Sequence, residues 1–222
     1  MDLLELSKHP ALPEAHAKFL WDLRRQHGFE PKVCYDIGAC VMHWTDRAKC
    51  VWPNAQFVLF DAFEAARFLY VGHEHHVGVL SDVENRSVTW HENLYFPGGN
   101  SYYREIGYKN GALFPPEKAV VRTARTLDGV VAEKGFPMPD LIKIDVQGSE
   151  MDVIKGGRKV LDHARVLIVE LQHEQYNENA PLVAESRAFI ESLGWTCVAE
   201  KFSDNGPDAD YCFVKNDALS TW

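Results

Sequence analysis

One stretch of the sequence decides the fold, and it reads Pro139-Asp140-Leu141-Ile142-Lys143-Ile144-Asp145-Val146-Gln147-Gly148-Ser149-Glu150. Residues 141–144 are apolar except for Lys143 and predict a buried strand, and a segment with helical spacing follows at residues 151–161. A strand, an acid at its carboxyl end and a Gly-containing turn form one βα unit of an open α/β sheet, whose ligands bind beyond the strand ends. Asp145 is therefore predicted to lie at the functional edge of the sheet. The alternative is that it only caps the following helix.

The same arrangement recurs along the chain before this stretch. Strands are predicted at residues 32–35, 57–60 and 76–80, ending at Asp36, Asp61 and the pair Ser81-Asp82. Helices are predicted between them at about residues 43–52 and 63–71, and this β-α-β-α-β order predicts a parallel sheet. Further strands are predicted at 86–92, 119–125, 166–171, 196–200 and 211–214, and further helices at 126–134 and 182–193. We expect the last two strands to close the sheet as an antiparallel hairpin.

The chain is predicted to form a single domain. Its 222 residues, 46% of them hydrophobic, are enough for one α/β core. An amphipathic helix is predicted over residues 11–27, so that residues 1–30 form a helical segment ahead of the sheet. Residues 93–116 are rich in Gly, Pro and aromatic side chains, and a loop of this length predicts a lid-like insertion.

The composition argues against several classes of protein. The net charge is −9 and no Lys/Arg block is longer than a pair, which argues against binding to a nucleic-acid backbone. No apolar run reaches membrane-spanning length, so no membrane span is predicted. The five cysteines include no Cys-x-x-Cys pair. Reduced cysteines of this kind are typical of the cytoplasm, which is the predicted location.

Two acids at the ends of predicted strands indicate a nucleoside ligand. Asp36 is followed closely by Gly38, which lets the backbone approach a ligand. Asp61 ends the next strand and suits an acid that accepts hydrogen bonds from both ribose hydroxyls. The pair narrows the ligand to NAD, FAD or S-adenosylmethionine, and the alternative is that both are ordinary strand ends. A dinucleotide is disfavoured because the first turn lacks the pattern Gly-x-Gly-x-x-Gly.

Four segments carry a family resemblance: Tyr35-Asp36-Ile37-Gly38-Ala39, Phe60-Asp61, Arg125-Thr126-Leu127-Asp128, and residues 141–150 followed by Val153-Ile154-Lys155-Gly156-Gly157. Together they resemble the FkbM-type family of S-adenosylmethionine-dependent methyltransferases over residues 33–200. The resemblance implies a class I, Rossmann-like fold, with a mostly parallel seven-stranded sheet flanked by helices. It also implies methylation of a hydroxyl, often of a sugar, and hence a small-molecule or glycan acceptor. Whether the chain is one domain of a larger glycan-modifying protein is left open.

The resemblance also implies a set of cofactor-binding residues: Asp36, Gly38, Ala39, Asp61, Ala62, Ser81, Asp82, Asp145 and Val146. Asp36 and Gly38 are expected at the methionine end of the cofactor and Asp61 at the ribose. Ser81 and Asp82 are expected near the adenine, and Asp145 beside the sulfonium. The sequence departs from the family in the first turn, where Cys40 and Met42 replace an Asn and a Gly. A bulky Met42 beside the ligand would favour the alternative of a non-catalytic nucleoside-binding or partner-docking domain.

Asp145, Glu170 and His173 are the predicted catalytic residues, because the strand before Glu170 should neighbour the strand before Asp145. His173 would face Asp145 and act as the base, with Glu170 behind. A second version, in which all three hold a divalent cation, stays open, and so does the reading of Glu170 and His173 as ordinary strand-end residues. The run His73-Glu74-His75-His76 is interpreted as a solvated turn in preference to a metal site. The loop at 93–116 is expected to cover the acceptor and to lie outside the cofactor site.

Overall fold

A seven-stranded sheet forms the centre of the structure, a computed structural model in which residues 3–8 and 12–222 are described. The strands in these residues are β1 (Val33–Ile37), β2 (Gln56–Asp61), β3 (Glu74–Val77), β4 (Val79–Leu80), β5 (Arg86–Trp90), β6 (Val120–Arg125), β7 (Leu141–Ile144), β8 (Val166–Gln172), β9 (Trp195–Asp204) and β10 (Asp208–Lys215). The large sheet has the order β3-β2-β1-β7-β8-β10-β9. Strands β3, β2, β1, β7 and β8 are parallel, and β10 runs antiparallel to both of its neighbours. The predicted parallel sheet with an antiparallel C-terminal hairpin is therefore confirmed.

Helices cover both faces of this sheet. They are α1 (Leu3–Lys8), α2 (Glu14–Gln26), α3 (His43–Val51), α4 (Leu127–Lys134), α5 (Glu150–Gly156), α6 (Arg158–Leu161) and α7 (Val183–Ser192). On one face α2 and α3 bury Leu20 and Trp44. On the other face α4, α5 and α7 bury Leu127, Val153 and Ile190. The predicted helix at 11–27 corresponds to α2, and its first residue lies outside the described residues.

Strand β7 lies in the middle of the sheet and is buried along its whole length, Lys143 included. Such a continuous buried strand is typical of a parallel sheet covered on both faces. Because side chains alternate along a strand, Ile142 and Ile144 pack against α4–α7, whereas Leu141 and Lys143 face the α2/α3 side. Asp145 follows at the carboxyl edge, where its backbone N–H donates to the Ile37 carbonyl at 3.0 Å.

The third predicted strand, at residues 76–80, has the wrong boundaries. Residues 74–77 form the edge strand β3, and after Gly78 the chain enters a second, three-stranded sheet through β4. Glu74, His75 and His76 therefore belong to a strand, and their interpretation as a solvated turn is wrong. In the part of the chain that the structure describes, no group of three or more His, Cys, Asp or Glu side chains is arranged to hold a metal ion.

Two further differences concern the type of one helix and the length of two strands. The predicted helix at 63–71 is a 3₁₀ helix, Glu64–Tyr70. The two C-terminal strands are longer than predicted, because β9 and β10 continue to a tight turn around Asn205. Among the described helices, none has the length and apolar character needed to cross a membrane.

Candidate active site

The carboxyl ends of β1, β2, β7 and β8 meet at one edge of the sheet. The chain leaves β1 and returns as β2 on one side, whereas β7 pairs with β1 on the other side. Such a reversal of strand order opens a crevice, and open α/β sheets bind their ligands there. Asp36, Asp61, Asp145 and Glu170 all lie at or next to this edge.

The first turn after β1 is held in place by its contact with Asp145. Gly38 has φ +86°, and a Cβ atom there would lie 1.7 Å from the Asp145 carbonyl oxygen, so no other residue fits. Cys40 and Met42 also adopt left-handed φ angles, of +44° and +69°. The Met42 side chain packs into the core beneath α3 with 8% of its surface exposed. The expected intrusion of Met42 into the ligand site is therefore wrong.

Asp61 ties this turn to the one after β2. Its Oδ2 accepts from the Cys40 backbone N–H at 2.7 Å, and its Oδ1 accepts from the Phe63 N–H at 2.7 Å. Burial raises the pKa of this carboxyl, and the two backbone donors oppose that effect. Each oxygen still has a lone pair free, because a carboxylate offers about four acceptor positions.

A cavity of about 120 Å³, here called the Asp61 cavity, opens beside this carboxylate. Its walls include Gly38, Asp61, Ala62, Val79, Leu80, Asn100, Tyr102, Asp145 and Val146. Asn100 is buried, and its Oδ1 accepts from the Asn93 N–H at 2.7 Å. Its Nδ2 has no hydrogen-bond partner among the residues that the structure describes. A buried amide donor without a partner is rare, and this one belongs to a residue in the wall of the Asp61 cavity.

The loop at 93–116 is anchored to the domain at Tyr102 and Tyr103, the two aromatic residues directly after Ser101. The hydroxyls of Tyr102 and Tyr103 donate to Asp152 Oδ2 of α5 at 3.0 and 3.1 Å. The Asn177 side chain donates to the Tyr103 carbonyl at 2.7 Å from the segment after β8. Pro97, Gly98, Asn100 and Tyr102 line the Asp61 cavity. The loop thus contributes to the wall on which Asp61 also lies.

A second cavity, of about 280 Å³ and here called the Glu170 cavity, lies on the α2/α3 side of the same edge. Its walls include His16, Gly38, Ala39, Cys40, His43, Trp44, Gly98, Lys143, Asp145, Glu170, Asn205 and Asp210. It shares Gly38, Cys40, Gly98 and Asp145 with the Asp61 cavity. One elongated ligand, or two ligands meeting end to end, can therefore come together at Asp145.

Asp145 and Glu170 form a hydrogen-bonded pair of acids between these cavities. Gln147 Nε2 donates to Asp145 Oδ1 at 3.0 Å and to Glu170 Oε2 at 2.7 Å. Burial raises the pKa of Glu170, and the neighbouring Asp145 charge raises it further. Burial would also raise the pKa of Asp145, but the Lys143 ammonium and its hydrogen bonds outweigh burial and lower it. Glu170 is therefore the more basic carboxyl of the pair and Asp145 the more acidic one.

A buried chain of three side chains forms the far wall of the Glu170 cavity. His16 Nδ1 lies 2.9 Å from Asp210 Oδ2, and Trp44 Nε1 donates to His16 Nε2 at 2.9 Å. Since a carboxylate only accepts and an indole N–H only donates, His16 must carry its proton on Nδ1. This contact joins residues 194 positions apart and fixes α2 over the site.

The profile of the methyltransferase FkbM domain matches residues 36–196, most of the chain. The chain belongs to this family. A segment of 70 residues is 41% identical to the 2-O-methyltransferase NoeI of Sinorhizobium fredii, and it comprises 31% of this chain and 27% of that protein. The matched part is thus only about a quarter of the relative's length.

Solved structures share the fold of this chain. The O-methyltransferase of Bacillus cereus, in complex with SAH, has a TM-score of 0.55 at 14% identity, covering 96% of this chain and 89% of that one. The O-methyltransferase TomG of Streptomyces achromogenes, in complex with SAM, has a TM-score of 0.54 at 14% identity, covering 97% and 90%. The class I methyltransferase fold implied by the sequence is confirmed.

The expected cofactor residues of this FkbM-type domain occupy different positions around the two cavities. Asp61, Ala62 and Val146 line the Asp61 cavity, Ala39 lines the Glu170 cavity, and Gly38 and Asp145 line both. Asp36 lies behind the first turn, fully buried, where its Oδ2 accepts from the Thr45 hydroxyl at 2.6 Å. It therefore braces the turn from within the protein.

Ser81 and Asp82 lie one layer outside the Asp61 cavity. Arg86 donates to Asp82 Oδ1 at 2.7 Å, and the Tyr102 hydroxyl lies 3.4 Å from Ser81 Oγ. The chain turns into the second sheet at β4, so Val79 and Leu80 line the cavity in their place. The expectation of direct contact between these two residues and a ligand in this cavity is corrected accordingly.

His173 does not face Asp145. Its Nε2 lies 3.2 Å from the Tyr211 hydroxyl, and it lines neither cavity. Tyr211 packs into the core on the α4–α7 side, whereas Glu170 lines the cavity on the α2/α3 side. Asp145 and Glu170 meet as expected, but the predicted opposition of Asp145 and His173, and with it the three-residue metal site, is corrected.

Sequence reasoning missed the residues whose role depends on three-dimensional contacts. Lys143 reads as an interruption of an apolar strand, yet it lies between Asp36 and Asp145. Its position two residues before Asp145 is the one feature of the sequence that could have indicated this role, since a charge within a buried strand needs a partner. Asn100, His16 and Asp210 carry no local pattern that distinguishes them from other polar residues.

Proposed function

We propose that this FkbM-type domain transfers the methyl group of S-adenosylmethionine to a hydroxyl of a sugar or glycan. The observation that carries the proposal is that two cavities meet at Asp145. One lies beside Asp61, an acid placed to accept from ribose hydroxyls, and the other has room for a methyl acceptor. Hydroxyl methylation is supported by family membership and by the similarity to NoeI, a 2-O-methyltransferase. The sugar class is supported by a cavity that combines the aromatic side chain of Trp44 with carboxyl and amide groups.

The Asp61 cavity fits the adenosine part of the donor. The free lone pairs of Asp61 suit the two ribose hydroxyls, and the unpaired Nδ2 of Asn100 suits a ring nitrogen or oxygen acceptor. Ala62, Val79 and Leu80 supply apolar contacts for a flat base. The methionine end would then lie at Gly38 and Cys40, where the two cavities join. The loop at 93–116 would contact the cofactor as well as the acceptor, in contrast to the expectation from sequence.

When bound, S-adenosylmethionine supplies a methyl group made electrophilic by the positive sulfur. The chain must then hold the acceptor oxygen in line with that group and exclude water, because orientation supplies much of the rate. Asp145 lies at the junction of the cavities and can accept a hydrogen bond from the acceptor hydroxyl. Its lowered pKa makes it a weak base near neutral pH, so we assign it to orientation.

The proton of the hydroxyl needs another acceptor, and His43 is the candidate in the Glu170 cavity. Its Nε2 lies 2.9 Å from the Leu6 carbonyl. A carbonyl only accepts, so Nε2 carries the proton and Nδ1 is the basic nitrogen. His16 is less suited, because Trp44 already donates to its Nε2. We propose His43 as the base in place of His173, in a mechanism that assigns no role to a divalent cation.

A non-catalytic binding domain is the alternative from another class. Its motivation was the replacement of a Gly by Met42, and the structure places that side chain in the core. No remaining feature of the first turn favours it.

The test is transfer of labelled methyl from S-adenosylmethionine to a panel of neutral sugars and oligosaccharides. We expect label in a base-stable ether, loss of turnover by about a hundredfold or more in His43→Ala, and little change in His173→Ala. The exposed His163→Ala serves as a further control. Label in an amine, in a base-labile ester, or in no acceptor despite donor binding would contradict the proposal.

A further inference from the structure

A buried lysine lies at the centre of the site, and neither the proposed chemistry nor the fold alone requires a cation there. Lys143 Nζ donates to the Gly38 carbonyl at 3.1 Å and lies 3.2 Å from Asp145 Oδ2 and 3.4 Å from Asp36 Oδ1. Only 6% of its side chain is exposed. Burial would lower the pKa of Lys143, but the charges of Asp145 and Asp36 outweigh burial and raise it, so the ammonium persists.

This arrangement joins the three parts of the methyl-transfer site. The Gly38 carbonyl belongs to the first turn, Asp36 to the strand below it, and Asp145 to the junction of the cavities. The lysine donates to the Gly38 carbonyl and lies within ion-pair distance of both carboxylates. Arg would not fit this geometry equally, since its donors lie in one plane.

The charges at this point do not cancel. Two carboxylates, those of Asp36 and Asp145, lie within 3.4 Å of the single ammonium of Lys143, and burial raises the pKa of the neighbouring Glu170. Asp210 adds a further carboxylate on the far wall, paired with His16. The junction therefore has a surplus of negative charge, reduced by Lys143 but not removed.

We infer that Lys143 is a positioning residue that also sets how strongly the site prefers the cationic donor over its neutral product. This inference rests on the proposed function. The donor carries a sulfonium that the product lacks, since the C–S bonding pair stays on sulfur when the methyl group leaves. Without the lysine, the two carboxylates would bind the cationic donor strongly. When no donor is bound, one of the carboxylates would take up a proton. Lys143 supplies part of that compensation permanently, so the pocket stays formed after the charge on sulfur disappears.

The test is calorimetric titration of each variant with S-adenosylmethionine, with S-adenosylhomocysteine, and with sinefungin, which has an amine in place of the methyl sulfonium. Lys143→Met should raise the preference for the cationic ligands over S-adenosylhomocysteine by about tenfold or more, since charges within about 4–6 Å shift equilibria by that amount. Asp145→Asn should lower the same preference. Titrations in two buffers of different ionisation heat should find extra proton release when Lys143→Met binds a cationic ligand.

Lys155→Met is the matched control. Lys155 also pairs with an acid, Asp152, at 3.5 Å, but it is half exposed and lines neither cavity. Its ligand preference should equal that of the wild type. Lys143→Arg retains the charge and should keep the preference near the wild-type value even where affinity falls.

Three outcomes decide the matter. An unchanged preference and an unchanged proton count in Lys143→Met would overturn the inference. If that variant does not fold, an unchanged preference in Asp145→Asn would overturn it instead. If the wild type binds none of the three ligands, the proposed function has failed, a result distinct from an unaltered ratio among bound ligands.

Discussion

Asp61 combines a structural task with a binding task in one carboxylate. Its two oxygens accept backbone N–H groups from the turns after β1 and β2, and the lone pairs that remain face the cavity. Charge-assisted bonds to backbone donors are stronger than neutral ones, so Asp61 shapes the pocket before any ligand arrives. Replacing it should therefore affect local structure as well as affinity.

Asn100 offers a sharper test of ligand contact at the residue scale. Asn100→Asp keeps the oxygen that accepts from Asn93 and replaces the amide donor, which has no partner among the described residues, with a second oxygen. We expect affinity for S-adenosylmethionine to fall about tenfold, because one hydrogen bond contributes about 1 kcal/mol and the new oxygen repels an acceptor. Calorimetry measures the change. The same substitution at exposed Asn54 should have no effect, and equal affinities for all three proteins would refute the contact.

The loop at 93–116 is the element whose interpretation differs most between the sequence and the structure. A free lid would need few contacts with the domain, but Tyr102 and Tyr103 share the buried carboxylate of Asp152. Asn177 also donates to the Tyr103 carbonyl. The sequence predicts a long loop with aromatic residues. Its partners lie in α5 and after β8, far along the chain, and no local pattern indicates them.

Removing the anchor should loosen this loop. Asp152→Ala removes the acceptor that the Tyr102 and Tyr103 hydroxyls share and leaves Tyr102 only its longer contact with Ser81, at a cost of about 1–3 kcal/mol. We expect faster hydrogen exchange at residues 97–103 and weaker donor binding, since Asn100 and Tyr102 line the Asp61 cavity. Glu117→Ala, an exposed acid after the loop, is the control. Unchanged exchange in Asp152→Ala would mean that other contacts hold the loop.

The strands differ in how well the sequence predicts them. β7 is a short apolar run with an acid after it, and its position and burial follow directly from that pattern. β3 and β4 read as one strand because the polar residues 74–76 resemble a turn and only Gly78 separates them. Pairing with an edge of the sheet decides such a segment, and pairing is a tertiary effect.

At the scale of the whole molecule, the site depends on the reversal of strand order between β1 and β7. The predicted βαβ units place Asp36, Asp61 and Asp145 at one edge, and this much follows from sequence. The Glu170 cavity is different, because its walls come from α2, the first turn and the β9–β10 turn. The His16–Asp210 contact spans 194 positions, and nothing in either segment alone predicts it.

Global stability should depend on pH through Glu150. Its Oε1 accepts from the Val146 and Gly148 N–H groups, and burial raises its pKa from 4.5 to about 7. An acid whose pKa is higher in the folded state stabilises that state below pH 4.5, and the contribution is lost as pH rises through 7. Glu150→Gln keeps the accepting oxygen and removes the titration.

Urea denaturation of both proteins between pH 4.5 and 8 measures this effect. Between pH 4.5 and about 7, the free energy of unfolding of the wild type should fall relative to that of Glu150→Gln by about 1.4 kcal/mol per pH unit. Exposed Glu117→Gln is the control for the loss of a charge. Parallel curves for wild type and Glu150→Gln would contradict the assignment.

The central claim is that the crevice at Asp61 and Asp145 binds S-adenosylmethionine. Calorimetric titration of the wild type with S-adenosylmethionine, S-adenosylhomocysteine and NAD tests it most directly, with Asp61→Ala alongside. We predict binding heat with the first two ligands, none with NAD, and affinity reduced about tenfold to a hundredfold in Asp61→Ala. Heat with NAD and none with S-adenosylmethionine, or an Asp61→Ala variant that binds the donor as tightly as the wild type, would contradict the account.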